Sequence, residues 1–156
     1  MNNNNSNSIN VNGIAHIALS VRSIKKSKIF YKKLMPFLGF SIVHESIKSI
    51  YFLGCKTGIL LQEVDNIKLG SKFSQNNVGL HHFCFRARKE KDIYSVAKHL
   101  KLIKTKIIRG PCSGPWAPGY LYILFEDPDS IRLEVNYVPK KGVFEQNTKF
   151  NPAGDY

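Results

Sequence analysis

The sequence predicts an α+β fold made of two βαβββ modules in one chain, related by a pseudo-twofold axis. Three observations predict it. A nine-residue motif occurs twice, Gly13-Ile-Ala-His16-Ile-Ala-Leu-Ser-Val21 and Gly79-Leu-His-His82-Phe-Cys-Phe-Arg-Ala87. An amphipathic helical pattern follows each copy, and three short β-prone runs follow each helix.

In each copy a histidine lies three residues after a glycine and opens an alternating, strand-like run. Alternation gives both copies the same two faces. Ile17, Leu19 and Val21, matched by Phe83, Phe85 and Ala87, form an apolar face for a helix to cover. His16, Ala18 and Ser20, matched by His82, Cys84 and Arg86, form the other. Ser23 is the expected N-cap of a helix burying Ser27, Phe30, Tyr31 and Leu34, which Pro36 stops. In the second copy Ile93, Val96, Ala97 and Leu100 sit at i, i+3, i+4 and i+7. Strands are expected over about 39–44, 48–53 and 58–64, then 105–108, 120–126 and 131–137.

Gly58-Ile-Leu-Leu-Gln62 aligns with Ser130-Ile-Arg-Leu-Glu134. The histidines are 66 residues apart and these closing positions 72, so the second copy is six residues longer. The extra length is assigned to the loop 110–119, whose Pro and Gly residues argue against regular structure. Module one spans about 13–65 and module two about 79–138, forming a single domain at 13–138. Residues 1–12, with seven asparagines, read as a disordered low-complexity tail, and 139–156 as a C-terminal tail.

At 156 residues, 43% hydrophobic and 12% aromatic, the chain can bury a core. No apolar run reaches the ~20 residues of a membrane span, and the Asn-rich start has no signal-peptide pattern. The three cysteines, Cys55, Cys84 and Cys112, lack CxxC spacing, which fits a reducing, cytoplasmic setting. The net charge of +12 is dispersed over helix faces and the C-terminus. With no recognition helix or RNP-like aromatic motif beside it, it reads as solvated surface and not as a nucleic-acid interface.

Each module places one potential ligand at its first strand and one at its last: His16 and Gln62, then His82 and Glu134. Two imidazoles, a carboxylate and an amide oxygen suit a divalent first-row metal. A single strand histidine is ordinarily structural. The repeated position on the non-helix face, and a glutamate within the apolar run Ile131-Arg-Leu-Glu134-Val135, point to a shared centre. A one-residue slip would select Glu63 in place of Gln62. His81 falls on the face opposite His82 and reads as structural or solvent-facing. Arg86 shares a face with His82, and Arg132 with Glu134; either could meet an anionic substrate, with a salt bridge as the plainer reading. Trp116, Tyr120 and Tyr122, from the irregular loop and the strand after it, could wall the pocket or pack the core.

These motifs, with Ser27-Lys-Ile-Phe-Tyr31, Leu38-Gly-Phe and Phe125-Glu-Asp-Pro-Asp-Ser-Ile-Arg-Leu-Glu134, resemble the vicinal oxygen chelate superfamily. That superfamily includes glyoxalase I, fosfomycin- and bleomycin-resistance proteins and extradiol dioxygenases. The resemblance covers roughly 12–138. It implies curved mixed sheets around a metal pocket, with His16, His82 and Glu134 as metal ligands and one Zn, Ni, Co, Mn or Fe ion. Ser130 departs from it, standing where the family has glycine. The implied function is a glyoxalase-like lyase or isomerase of a small carbonyl compound, in which the metal steadies an enediolate and Glu134 is the base. The alternatives are a non-haem Fe(II) extradiol-type dioxygenase using His16, His82 and Glu134, a transferase adding a thiol to an epoxide, and a metal-free drug-sequestering protein. A homodimer and a small-molecule substrate are the implied partners.

Overall fold

In a computed structural model, residues 9–65 and 73–140 are described. Most of the two expected tails therefore lies outside the described residues. The element order is β1 (His16–Val21), α1 (Ile24–Phe37), β2 (Ser41–Glu45), β3 (Ser49–Gly54) and β4 (Thr57–Glu63). The second module repeats it with β5 (Phe83–Arg86), α2 (Glu90–Leu102), β6 (Ile107–Ser113), β7 (Leu121–Glu126) and β8 (Arg132–Tyr137). Two four-stranded mixed sheets result, ordered β1-β4-β3-β2 and β5-β8-β7-β6. In each, the first strand runs parallel to the last, so the two ends of a module lie side by side.

The helices form where the periodicity places them. Ser23 Oγ accepts from Lys26 N at 3.4 Å and starts α1. The helix buries Ser27, Tyr31, Leu34 and Met35, and Phe30 stays half-buried. It ends one residue beyond Pro36, not before it. The capping amide of Leu38 reaches back to Leu34 and Met35 and closes the last turn. In α2 all four stripe residues are buried.

The loop expected over 110–119 is partly strand. β6 runs on through Gly110 and Pro111, with register shifts against β7 on both sides of Arg109. Gly110 has φ +94°, and a Cβ there would fall on the backbone of Tyr122 and Ile123. A glycine bulge thus lets the strand continue past its breakers.

The helices and the helix-facing side of both sheets share one core. Phe40 packs edge-on against Phe85 at 5.6 Å, and Phe37 stacks on His99 at 3.9 Å. Tyr31 on α1 donates to Asp127 Oδ2 at 2.9 Å. Asp127 Oδ1 accepts from the Asp129 and Ile131 amides, so one buried carboxylate ties the β7–β8 turn to the first module. Ser130 in that turn has φ +67°, a conformation that suits glycine better. The other face of each sheet turns away from this core.

Candidate functional site

The outward face of the second sheet gathers His82, Cys84, Arg132, Glu134 and Asn136. β5 and β8 are paired with Cys84 opposite Glu134. Glu134 is fully buried, and its two oxygens have different surroundings. Oε1 accepts from Tyr120 Oη at 2.5 Å and from Cys84 Sγ at 3.4 Å. Asn136 Nδ2 in turn donates to Tyr120 Oη at 2.7 Å. Oε2 has no hydrogen-bond partner, yet it lies 3.4 Å from His82 Nε2.

Burial raises the Glu134 carboxyl above its ordinary range, opposed by the bonds from Tyr120 and Cys84. The His82 imidazole moves the other way, to about 4, through desolvation first, then His81 and Arg132. His82 is therefore a neutral ring near pH 7. His81 is not on an opposite face: residues 81–82 precede β5, and the two Nδ1 atoms lie 2.7 Å apart. His82 thus meets His81 through Nδ1 and turns its Nε2 edge toward the Glu134 Oε2. Strand alternation missed this contact because the strand starts one residue later.

An orphaned buried carboxylate oxygen beside a neutral imidazole fits a divalent metal. Two donors bonded at ~2.1 Å to one tetrahedral ion would be roughly 3.4 Å apart. Among the described residues, however, no three His, Cys, Asp or Glu side chains form a metal site within the chain. The structure brings His82 and Glu134 together and places His16 and Gln62 on the other sheet.

His16 lies opposite Gly58 and Gln62 opposite Ser20, four residues on and about 13 Å along the strands. Glu63 lies opposite Val21 on the helix side, where its Oε2 accepts from Ile24 N at 2.7 Å. Neither is the counterpart of Glu134. Glu134 faces the residue two beyond His82, and the residue facing the one two beyond His16 is Leu60. The motif alignment that selected Gln62 is thus two residues out of register with the strand pairing. Tyr51 also lies on this open face, its ring over Gly58 beside His16.

Of the expected substrate contacts, Arg132 lies by His82, its Nε buried and without a hydrogen bond. Trp116 and Tyr122 pack with Leu124 in a small aromatic cluster on the site face, each only 2% exposed. They are floor and not open wall. Arg86 points elsewhere, donating to the Val138 and Lys140 carbonyl oxygens at the far end of β8. Tyr120, expected with Trp116 and Tyr122 as pocket wall or core, instead holds Glu134, and Asn136, which holds Tyr120, carries no motif of its own.

The profile of the glyoxalase/bleomycin resistance protein/dioxygenase superfamily matches residues 13–135. The chain belongs to that superfamily. Its fold is similar to that of a candidate glyoxalase from Bacillus halodurans, at 21% identity and a TM-score of 0.72, covering 80% of this chain and 95% of that one. Lactoylglutathione lyase from Agrobacterium tumefaciens superimposes with a TM-score of 0.62 at 18% identity, covering 82% and 95%. The fosfomycin resistance protein FosX from Listeria monocytogenes does so with 0.59 at 18%, covering 82% and 94%. No curated protein matches the sequence. Among the described residues no helix is long and apolar enough to cross a membrane. The superfamily spans lyases, resistance proteins and dioxygenases, so membership sets the scaffold and the site residues set the reaction.

Proposed function

We propose that this protein is a divalent-metal-dependent enzyme acting on a small molecule that chelates through two neighbouring oxygens. The observation that carries the reading is the orphaned Glu134 Oε2 facing a neutral His82 Nε2 at 3.4 Å. His82 and Glu134 would be two protein donors. The third would be His16 of a second copy, because within one chain His16 stands on the other sheet. That open face also carries Tyr51 and Leu53, the latter close to half exposed. A homodimer pairing the first sheet of one chain with the second sheet of its partner would cover them and complete the site.

The bound metal would supply Lewis acidity toward the substrate oxygens. The chain does the rest. Tyr120 and Cys84 hold Oε1 so that Oε2 faces the substrate side. Arg132 provides positive charge beside His82 for a substrate anion. The Trp116, Tyr122 and Leu124 cluster keeps water from the inner side of the carboxylate. In a glyoxalase-like lyase or isomerase, Glu134 would take and return a proton, a role its raised pKa suits. A second reading is favoured by Leu60. With no donor at that position the set is two histidines and one carboxylate, the pattern of non-haem Fe(II) oxygenases.

The test is elemental analysis of gently purified protein, with Glu134→Ala and His82→Ala alongside. About one metal per chain, lost in both variants, supports the reading, with iron favouring the oxygenase and nickel or zinc the lyase. If neither metal content nor thermal stability responds to added Zn, Ni, Co, Mn or Fe, the enzyme reading fails and a sequestering pocket remains.

A further inference from the structure

A cavity lies between the modules, away from the His82–Glu134 face. It has a volume of about 300 Å³, at the lower end of small-molecule sites. Its floor is apolar: Phe40 from the first module, and Phe85, Val96 and Val135 from the second. A shallower groove of about 640 Å³ shares Cys55, Arg86, Ala87 and Arg88 with it and continues outward to Tyr137 and Lys140.

The rim is cationic. Arg86 is anchored by two backbone carbonyl oxygens and meets no carboxylate among the described residues. Arg88 is exposed at the mouth and makes no ion pair among the described residues. The one acid in the lining, Asp92, is turned to the helix start, where its Oδ2 accepts from Lys89 N at 3.1 Å. Two arginines and Lys140 therefore outweigh one engaged carboxylate over an apolar hole.

We propose that this inter-module cavity is a ligand site for a small amphipathic carboxylate, its apolar body on Phe40 and Phe85 and its head at Arg88. The charge of the rim selects an anion, and the floor selects a hydrocarbon or aromatic body. This also gives Arg86 a place: it belongs to this cavity and not to the face of Glu134. The proposal is independent of the metal reading, since it shares no residue with that centre.

The test is calorimetric titration of the full chain with decanoate, using decanol to remove the charge. Micromolar decanoate binding is expected, with decanol at least tenfold weaker and affinity falling as salt rises. Arg88→Glu, an exposed change, should weaken decanoate at least tenfold. Ser95→Trp, which fills the cavity from its exposed edge, should abolish binding while thermal melting shows the protein folded. His82→Ala should bind as the wild type does. The proposal is overturned if wild type fails to bind decanoate, if decanol binds as well, if Arg88→Glu and Ser95→Trp leave affinity unchanged, or if His82→Ala removes it.

Discussion

Leu60 occupies in the first module the register position that Glu134 occupies in the second. Each lies opposite the residue two beyond its module's strand histidine, Ala18 and Cys84 respectively. The pseudo-twofold is therefore kept in backbone and in the histidines and broken at the carboxylate. The expected four-donor centre would thus have at most three donors.

Restoring the symmetry is a direct experiment. Leu60→Glu, at a half-buried position on the open face, should tighten zinc or nickel about tenfold in a chelator competition, or ~1.4 kcal/mol. Leu60→Met should not. Equal affinity for both would show that this register position does not face the metal.

Tyr120 links Glu134 to Asn136 through one hydroxyl. Tyr120→Phe leaves both partners short of a bond, which should cost about 1–3 kcal/mol in denaturant unfolding. It should also weaken metal binding 10–100-fold, as loss of an outer-shell orienting group does. A stability loss with unchanged metal affinity would make Tyr120 structural only.

Asp127 gives a pH signature. Desolvation raises its carboxyl to about 6, against the opposing bonds from Ile131, Tyr31 and Asp129. Between pH ~4 and ~6 the folded state holds this proton more tightly than the unfolded chain, so the group's contribution to stability falls as pH rises. Asn keeps the amide contacts and can donate to Tyr31. Asp127→Asn should thus gain on wild type by up to about 3 kcal/mol between pH 4 and 7. His82, lowered to about 4, has the opposite slope, so the effect is read as the difference between variant and wild type at each pH. A difference that stays flat with pH would contradict the assignment.

Much of this was legible in the sequence. The repeated glycine-histidine motif marks two equivalent strands, and periodicity places the buried faces of α1 and α2, because burial follows geometry that the residue pattern records directly. Strand register is another matter. A parallel β1–β4 pair is separated by a helix and two strands, so no local turn fixes which residue faces which. Aligning Gln62 with Glu134 matched residue chemistry, and the backbone pairs two positions away. Arg86 was misplaced for a related reason. Alternation gives a face but not a position along it, and four residues of strand carry it away from His82. The contact of His81 with His82 depends on where β5 begins, which periodicity leaves open by a residue or two.

The proposed centre is shared between two copies of the chain, and a mixed dimer tests that directly. His16→Ala and Glu134→Ala chains would be refolded or co-expressed together and the mixed dimer assayed for bound metal. Each variant alone should bind none. The mixed dimer should regain one metal per two chains, since Glu134 and His82 of one chain then meet an intact His16 of the other. A mixed dimer that stays metal-free, while wild type binds metal, would contradict the shared centre.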